Sequence, residues 1–281
     1  MLRSNNVLLE KKLDNRKCWR FKTQTDVVMF HGAHDQEFIP HTHDVMTAIL
    51  VTAGTVTVTI DRVIRRVETG QMVLVGAHQV QSAYPIDGNS WEIRSLHFPP
   101  SLLVKHDDAW RKAKGVISFA NPVCGNPSPD VALFYDLHRA SETTELLTQQ
   151  ELLLQSLIQW FSANTDSFGP RMPWIGHSDV RLERARHILA STLFERTMLE
   201  SVAEQVGFST HSLIRRFKER YGLSPHAWRM QARAGEAAKL LIEANSISNV
   251  AMDCGFSDQS HLTRIFKKVY GVTPGEYSLM D

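Results

Sequence analysis

Cysteine is scarce and scattered. Cys18, Cys124 and Cys254 lie far apart in 281 residues and form no CxxC pair. That spacing excludes a disulfide framework and a cysteine-ligated zinc site, and it suits a reducing, cytoplasmic location. Long apolar runs are missing as well. None approaches the ~20 residues needed to span a bilayer, and residues 1–12 lack the apolar stretch of a secretory leader. No membrane partner is expected. Neither sign of charge dominates: 31 Lys and Arg stand against 30 Asp and Glu. A grossly basic chromatin-type protein is excluded, but local concentrations of charge are not. There is no Walker A loop and no GxGxxG. Thirteen His and thirty acids guarantee chance pairs, and no nucleophile–base constellation rises above them. The expectation is no catalytic residue and no cofactor. What remains is an ordinary globular balance, 43% apolar and 22% charged, at a length suited to one large domain or two ordinary ones.

The chain divides by period. Over 20–98 it reads as short strands: Val56, Val58 and Ile60 alternate with Thr55, Thr57 and Thr59, a β-branched period of two. Ala53-Gly54, Asp61-Arg62, Thr69-Gly70 and Asp87-Gly88 punctuate them as turns. Such strands suggest a sandwich or small barrel. Over 130–162 the spacing becomes helical. Leu154, Leu157, Ile158 and Phe161 form one stripe, and Leu133 and Leu137 can do the same in an earlier helix. The stripe covers the β core, makes a dimer interface, or does both. Residues 162–177 then carry two Gly and two Pro, which break regular structure. The domains are therefore placed at 1–165 and 178–281, with a linker at 166–177. The second domain reads as all-helical.

Two segments of that domain repeat each other. Val206-Gly207-Phe208-Ser209, Arg215-Arg216-Phe217-Lys218 and Tyr221-Gly222-Leu223-Ser224-Pro225 return as Cys254-Gly255-Phe256-Ser257, Arg264-Ile265-Phe266-Lys267 and Tyr270-Gly271-Val272-Thr273-Pro274. The interval is 48 residues at first and 49 after a one-residue insertion. A repeat of this length is one supersecondary unit used twice. Each copy predicts a short helix (Leu199–Val206, Ile247–Cys254), a glycine stop at Gly207 or Gly255, an N-cap at Ser209 or Ser257, and a second helix to Tyr221 or Tyr270. Ser224-Pro225 and Thr273-Pro274 start further helices, with a capping-box pattern from Thr273 to Glu276. The unit is a helix-turn-helix. Leu213 and Phe217, and Leu262 and Phe266, face inward. The opposite faces carry His211, Ser212, Arg215, Lys218 and Arg220, and Gln259, Ser260, Thr263, Arg264, Lys267 and Lys268. Residues 209–221 carry a net +3 and 257–270 a net +2, so a nearly neutral chain concentrates positive charge on two helices. Phosphate attraction requires this, and Arg and Gln suit guanine and adenine edges.

These segments, above all Cys254-Gly255-Phe256-Ser257-Asp258-Gln259-Ser260-His261-Leu262-Thr263-Arg264, resemble the DNA-binding domain of the AraC/XylS family of bacterial transcription regulators. The resemblance implies two helix-turn-helix units joined by a long helix, here about Pro225 to Ala244, entering adjacent major-groove segments on one DNA face. It implies base-facing positions at His211, Ile214 and Arg215, and at Gln259, Ser260, His261, Thr263 and Arg264; Lys218 and Lys268 complete the expected DNA-binding set. Ile214 is apolar where a polar residue often sits, and suits a thymine methyl or simple packing. Gly235 lies inside the joining helix, where it costs about 1 kcal/mol relative to Ala.

In the β half, Pro40 precedes His41-Thr42-His43, read as a strand start with both imidazoles on one face. With Gly54 and Gly70 this resembles a cupin, the sensor domain of such regulators. The family's Glu position falls at Thr47 and its third His at Gln81, with His78 three residues early. Half the metal ligands are absent, so pocket-lining histidines are preferred to a metal site. His41, His43, Trp91 and Arg94 are the candidate ligand-binding residues, although the odd spacing of Trp91 and Arg94 forbids both from facing inward on a regular strand.

The fold expected is thus a two-domain α+β chain, a cupin-like β-barrel or sandwich with flanking helices followed by an all-α double helix-turn-helix domain. The function expected is a sequence-specific transcription activator controlled by a small-molecule effector, with promoter DNA, RNA polymerase and a second copy of itself as partners. A metal-dependent cupin enzyme and a regulator controlled by a partner protein are the alternatives.

Overall fold

The computed structural model describes residues 17–34, 37–86, 90–104, 119, 122–125, 129–142, 147–163, 179–243 and 245–279. The 166–177 linker, both boundaries drawn beside it and the Asp87-Gly88 turn lie outside the described residues.

Ten strands are seen among these residues: β1 Lys17–Phe21, β2 Gln24–His34, β3 Phe38–His41, β4 Met46–Ala53, β5 Thr55–Ile60, β6 Val63–Glu68, β7 Met72–Val75, β8 Gln81–Pro85, β9 Trp91–Phe98 and β10 Val123–Cys124. They form a six-stranded sheet, β1-β2-β9-β4-β7-β10, and a four-stranded sheet, β3-β8-β5-β6. Alternation works as expected on β5: Val56, Val58 and Ile60 are buried. The β5–β6 connection is a two-residue turn with Asp61 at φ 48 and Arg62 at φ 71, the positive-φ pair that matches hairpin twist. Gln79 Nε2 donates to Asp61 Oδ2 at 2.6 Å and steadies the turn.

The two faces of the six-stranded sheet bury different things. One face carries Met46, Ala48, Leu50, Leu96 and Phe98. It is covered by helices α1 (Ser101–Val104), α2 (Pro129–Ala140) and α3 (Leu147–Ala163). Leu154, Leu157 and Ile158 pack into this core with Phe134 and Leu137, so the stripe covers the β domain. The Phe161 side chain is outside the described residues.

The helical half contains α4 (Val180–Ser191), α5 (Leu199–Gln205), α6 (Thr210–Tyr221), α7 (Pro225–Ile242), α8 (Ile247–Asp253), α9 (Gln259–Tyr270) and α10 (Pro274–Ser278). The joining helix α7 ends two residues short of the expected Ala244. Helices α4, α5 and α6 have a core of their own around Leu189, Val202, Leu213 and Phe217. The rest do not. Met230, Ala237, Val250, Leu262, Phe266 and Tyr277 belong to one continuous core with Val51, Val58, Val75, Trp91 and Ile93 of the strands.

Candidate nucleic-acid interface and interdomain cavity

The repeat is exact enough to show in its hydrogen bonds. Gly207 and Gly255 both adopt φ 71. Beyond them Phe208 N donates to Ala203 O, and Phe256 N to Ala251 O, each at 2.9 Å. This is the glycine-terminated helix stop in which the second residue beyond the cap reaches back to the last turn. The second helices also end alike, on Gly222 at φ 73 and Gly271 at φ 75. They begin differently. Ser209 caps α6, accepting from Ser212 N at 3.2 Å. The expected cap Ser257 is displaced by Asp258, whose Oδ1 accepts from His261 N at 2.7 Å. Asp258 is the inserted residue, held in extended backbone at φ −167, so the carboxylate takes over the helix start. Ser257 Oγ donates to Asp258 Oδ2 at 2.9 Å. Its single proton being spent, the 3.1 Å contact with His261 Nδ1 has the imidazole donating, which leaves Nε2 as an acceptor in the neutral ring.

On α6, His211, Ile214, Arg215 and Lys218 are exposed; on α9, Gln259, Ser260, Arg264 and Lys268 are exposed, with His261 and Thr263 half-buried. Ile214 leaves 38% of its surface in solvent, so it does not pack inward. Thr263 Oγ1 is turned onto its own helix, donating to Gln259 O at 2.8 Å. Arg215 meets Glu219 at 3.2 Å along the helix. Arg220 corrects the expectation of an outward basic residue. It is buried, and Nη2 lies 3.5 Å from Glu183 Oε1 of α4, because position 220 continues the Leu213–Phe217 stripe at i+3. Arg216 stacks over the Phe208 ring at 5.5 Å.

A cavity of about 300 Å3 lies where the inner face of the β domain meets α7, α9 and α10. His41, His43 and Trp91 line it. Arg94 does not, which corrects that expectation. On β9 the odd positions Trp91, Ile93, Ser95 and His97 line the cavity. Arg94 points through the opposite face toward α2, pairing with Glu142 and approaching His138 Nδ1 at 2.9 Å. His41-Thr42-His43 closes β3 instead of opening a strand, yet the two rings meet edge to face at 4.9 Å. His97 adds a third imidazole, 5.8 Å from His43. Thr47 and Gln81, where a cupin metal site has its remaining ligands, line the same cavity. Among the described residues no three His, Cys, Asp or Glu side chains are grouped so as to hold a metal ion. Burial lowers the basicity of His41 and His97, each to about 4, and holds that of His43 well below its ordinary value. His41 Nδ1 sits 2.7 Å from Ile39 O; a carbonyl only accepts, so this nitrogen carries the proton and Nε2 is left as an acceptor.

The comparisons agree with both halves. Residues 27–161 match the AraC-like ligand binding domain, and residues 202–279 match a helix-turn-helix domain. The chain belongs to the AraC/XylS family of transcription regulators. It is 26% identical over 92% of both chains to the HTH-type transcriptional activator RhaR of Pectobacterium carotovorum. It is 28% identical over about half of each chain to the virulence regulon transcriptional activator VirF of Yersinia enterocolitica. The crystal structure of ToxT from Vibrio cholerae O395 has the same fold, with a TM-score of 0.54 at 12% identity over 92% of this chain and 98% of that one.

In this AraC-family chain both paired helices rest their C-terminal ends on the β domain. A Cβ at Gly222 would lie 2.9 Å from Val80, and one at Gly271 3.1 Å from the Phe38 ring. Glycine is thus demanded there twice over, by positive φ and by space. Arg62 Nη2, from the β5–β6 turn, donates to Lys218 O at 3.3 Å and to Glu219 O, a cation on the negative end of α6. Thr42 N donates to Gln231 Oε1 at 3.1 Å, and Gln231 Nε2 returns to Pro40 O at 3.0 Å.

Sequence reasoning missed two arginines on α7. Arg229 and Arg233 are buried and donate to backbone carbonyls, not carboxylates. Arg229 reaches Thr192, Leu193, Glu195 and Thr197; Arg233 reaches Leu193 at 2.7 Å, Glu195 at 3.1 Å and Gly255. They tie the loop after α4 and the turn of the second unit to one helix, which sets the two units relative to each other. Their four-residue spacing within an apolar stripe was the available signal.

Proposed function

We propose that this regulator is a homodimeric, cytoplasmic transcription activator that responds to a small molecule held in the interdomain cavity, binds promoter DNA through α6 and α9, and contacts RNA polymerase. The observation that carries this reading is the pair of equivalently ended helices, each with an exposed face bearing Arg and Lys, joined by His211 on α6 and Gln259 on α9. On α6, His211, Ile214 and Arg215 face base edges and Lys218 faces phosphate. On α9, Gln259, Ser260, His261, Thr263 and Arg264 read bases and Lys268 binds phosphate. Ile214 is an apolar contact suited to a thymine methyl. The activator relatives support the sign of control. His41, His43 and Trp91 are the effector-facing residues.

The test is footprinting on DNA upstream of the regulator's own gene and neighbouring operons, across a salt series, with and without metabolite extract. Protection spanning two successive major grooves on one face, weakening steeply with salt, is the expected result. Protection that is absent in both conditions would overturn the reading.

A further inference from the structure

The cavity has a chemical character that narrows its ligand. Its interior walls are aromatic and aliphatic: Phe30, Phe38, Ile49, Trp91, Ile93 and Tyr270. Among the described residues the only cation in the lining is Lys239, which is exposed at the rim with its charge already matched, 2.8 Å from Glu236 and 3.8 Å from Asp44. An anionic ligand would find no unmatched partner inside, and an unpaired carboxylate is costly to desolvate.

Among the described residues, two polar atoms in this setting find no hydrogen-bond partner: the Nε1–H of Trp91, which is 3% exposed, and Nδ1 of His43, which is 8% exposed. Buried indole N–H groups ordinarily find an acceptor. His41 presents a second lone pair at Nε2, since its Nδ1 proton is committed to Ile39 O. The floor therefore offers the Trp91 N–H as a donor, His41 Nε2 as an acceptor and His43 Nδ1 beside them, while the charged lining residues, Asp26, Asp44 and Lys239, are all exposed at the rim.

Resting on the regulator reading above, we infer that the effector is a small, uncharged, ring-containing molecule bearing a hydrogen-bonding oxygen, held by Trp91 and His43 and touching α7 and α9 at the same time. Gly235 and Ala238 of α7, and Val269 and Tyr270 of α9, supply the opposite wall. The volume is at the lower end for small-molecule sites, which fits one flat ring system stacked between Trp91 and Tyr270. Neutral imidazoles, held so by burial, fit the same class. Because part of the wall belongs to the DNA-binding domain, the occupied and empty states differ in how firmly that domain is seated.

The experiment titrates the full chain calorimetrically with matched probes: benzamide and 2-naphthamide, their carboxylates benzoate and 2-naphthoate, and benzylammonium. An amide is expected to bind at least about tenfold more tightly than the carboxylate of the same shape. Trp91→Phe, which keeps the ring and removes the N–H, is expected to weaken amide binding about fivefold or more. Ala238→Leu, which fills the cavity from the helical side, is expected to abolish it in a chain with an unchanged unfolding midpoint. A carboxylate or ammonium bound as well as its amide overturns the uncharged class. Binding unchanged in a folded Ala238→Leu chain, binding only with added zinc, or no binding by any probe overturns the inference. Footprinting without probes runs alongside: DNA protection without probe binding refutes this ligand class alone, whereas absent protection refutes the regulator reading beneath it.

Discussion

Arginine has three different jobs in the helical half, and only surroundings separate them. Arg264 is exposed, Arg220 turns back to Glu183, and Arg233 holds backbone carbonyls. Arg264→Ala is expected to cost about 1–3 kcal/mol of specific binding and relax one base position, while Lys268→Ala weakens all sequences alike and flattens the salt dependence. Binding isotherms on matched and single-mismatch sites check this; equal behaviour of the two variants would refute the division of roles. Arg233→Met is expected to lower unfolding stability by about 2–3 kcal/mol, since buried carbonyls lose charged donors, and Arg233→Lys to recover little of it because a point charge cannot span them. Denaturant melts give both values. Residue roles of this kind were half legible. Helical spacing from Leu213 and Phe217 was enough to turn position 220 inward, where Arg220 was instead expected to face out, and period two from Trp91 was enough to bring in His97, which was not among the expected residues. The carbonyl partners of Arg229 and Arg233 had no sequence signature, because any backbone can supply a carbonyl.

At the scale of elements, the repeat was readable because caps and stops are local chemistry. Gly207, Gly255, Ser209 and Ser224 act where the sequence places them. The shift from Ser257 to Asp258 was not readable: Ser and Asp cap equally well, the two are adjacent, and the insertion decides between them. Gly222 and Gly271 required more than a helix stop, since each also leaves room for the β domain. Gly222→Ala is therefore expected to cost about 1–2 kcal/mol from backbone strain plus a packing cost against Val80. Adding Val80→Ala should relieve the packing part and leave the strain. A double-mutant cycle by chemical denaturation separates the two, and strict additivity would show that the contact is not made. The buried histidines make an element-level prediction as well. His41 and His97 fall from 6.5 to about 4 on folding, so between those values the unfolded chain binds more protons than the folded one. Their neutral burial contributes fully above about pH 6.5 and is lost as pH falls toward 4. Thermal midpoints should decline across that window, and less steeply in a His97→Gln chain. A midpoint that does not change from pH 6.5 to 4 would contradict the neutral assignment.

At the scale of the whole molecule, two domains were expected from a change of period, and two are present. How they sit together left no periodic trace. The contacts between them join a turn (Arg62), two helix-ending glycines and a short segment around Pro40 to Gln231, none of which announces a partner. The continuous core from Val58 and Trp91 into Leu262, Phe266 and Tyr277 has a calorimetric consequence. Neither half owns enough of it to melt by itself with its full enthalpy. Heating should give one endotherm whose calorimetric and van't Hoff enthalpies agree, where independent domains would give two. A truncated 178–281 chain should lose the second unit's cooperativity before the first's, because α4, α5 and α6 keep their own core while α8, α9 and α10 leave theirs behind.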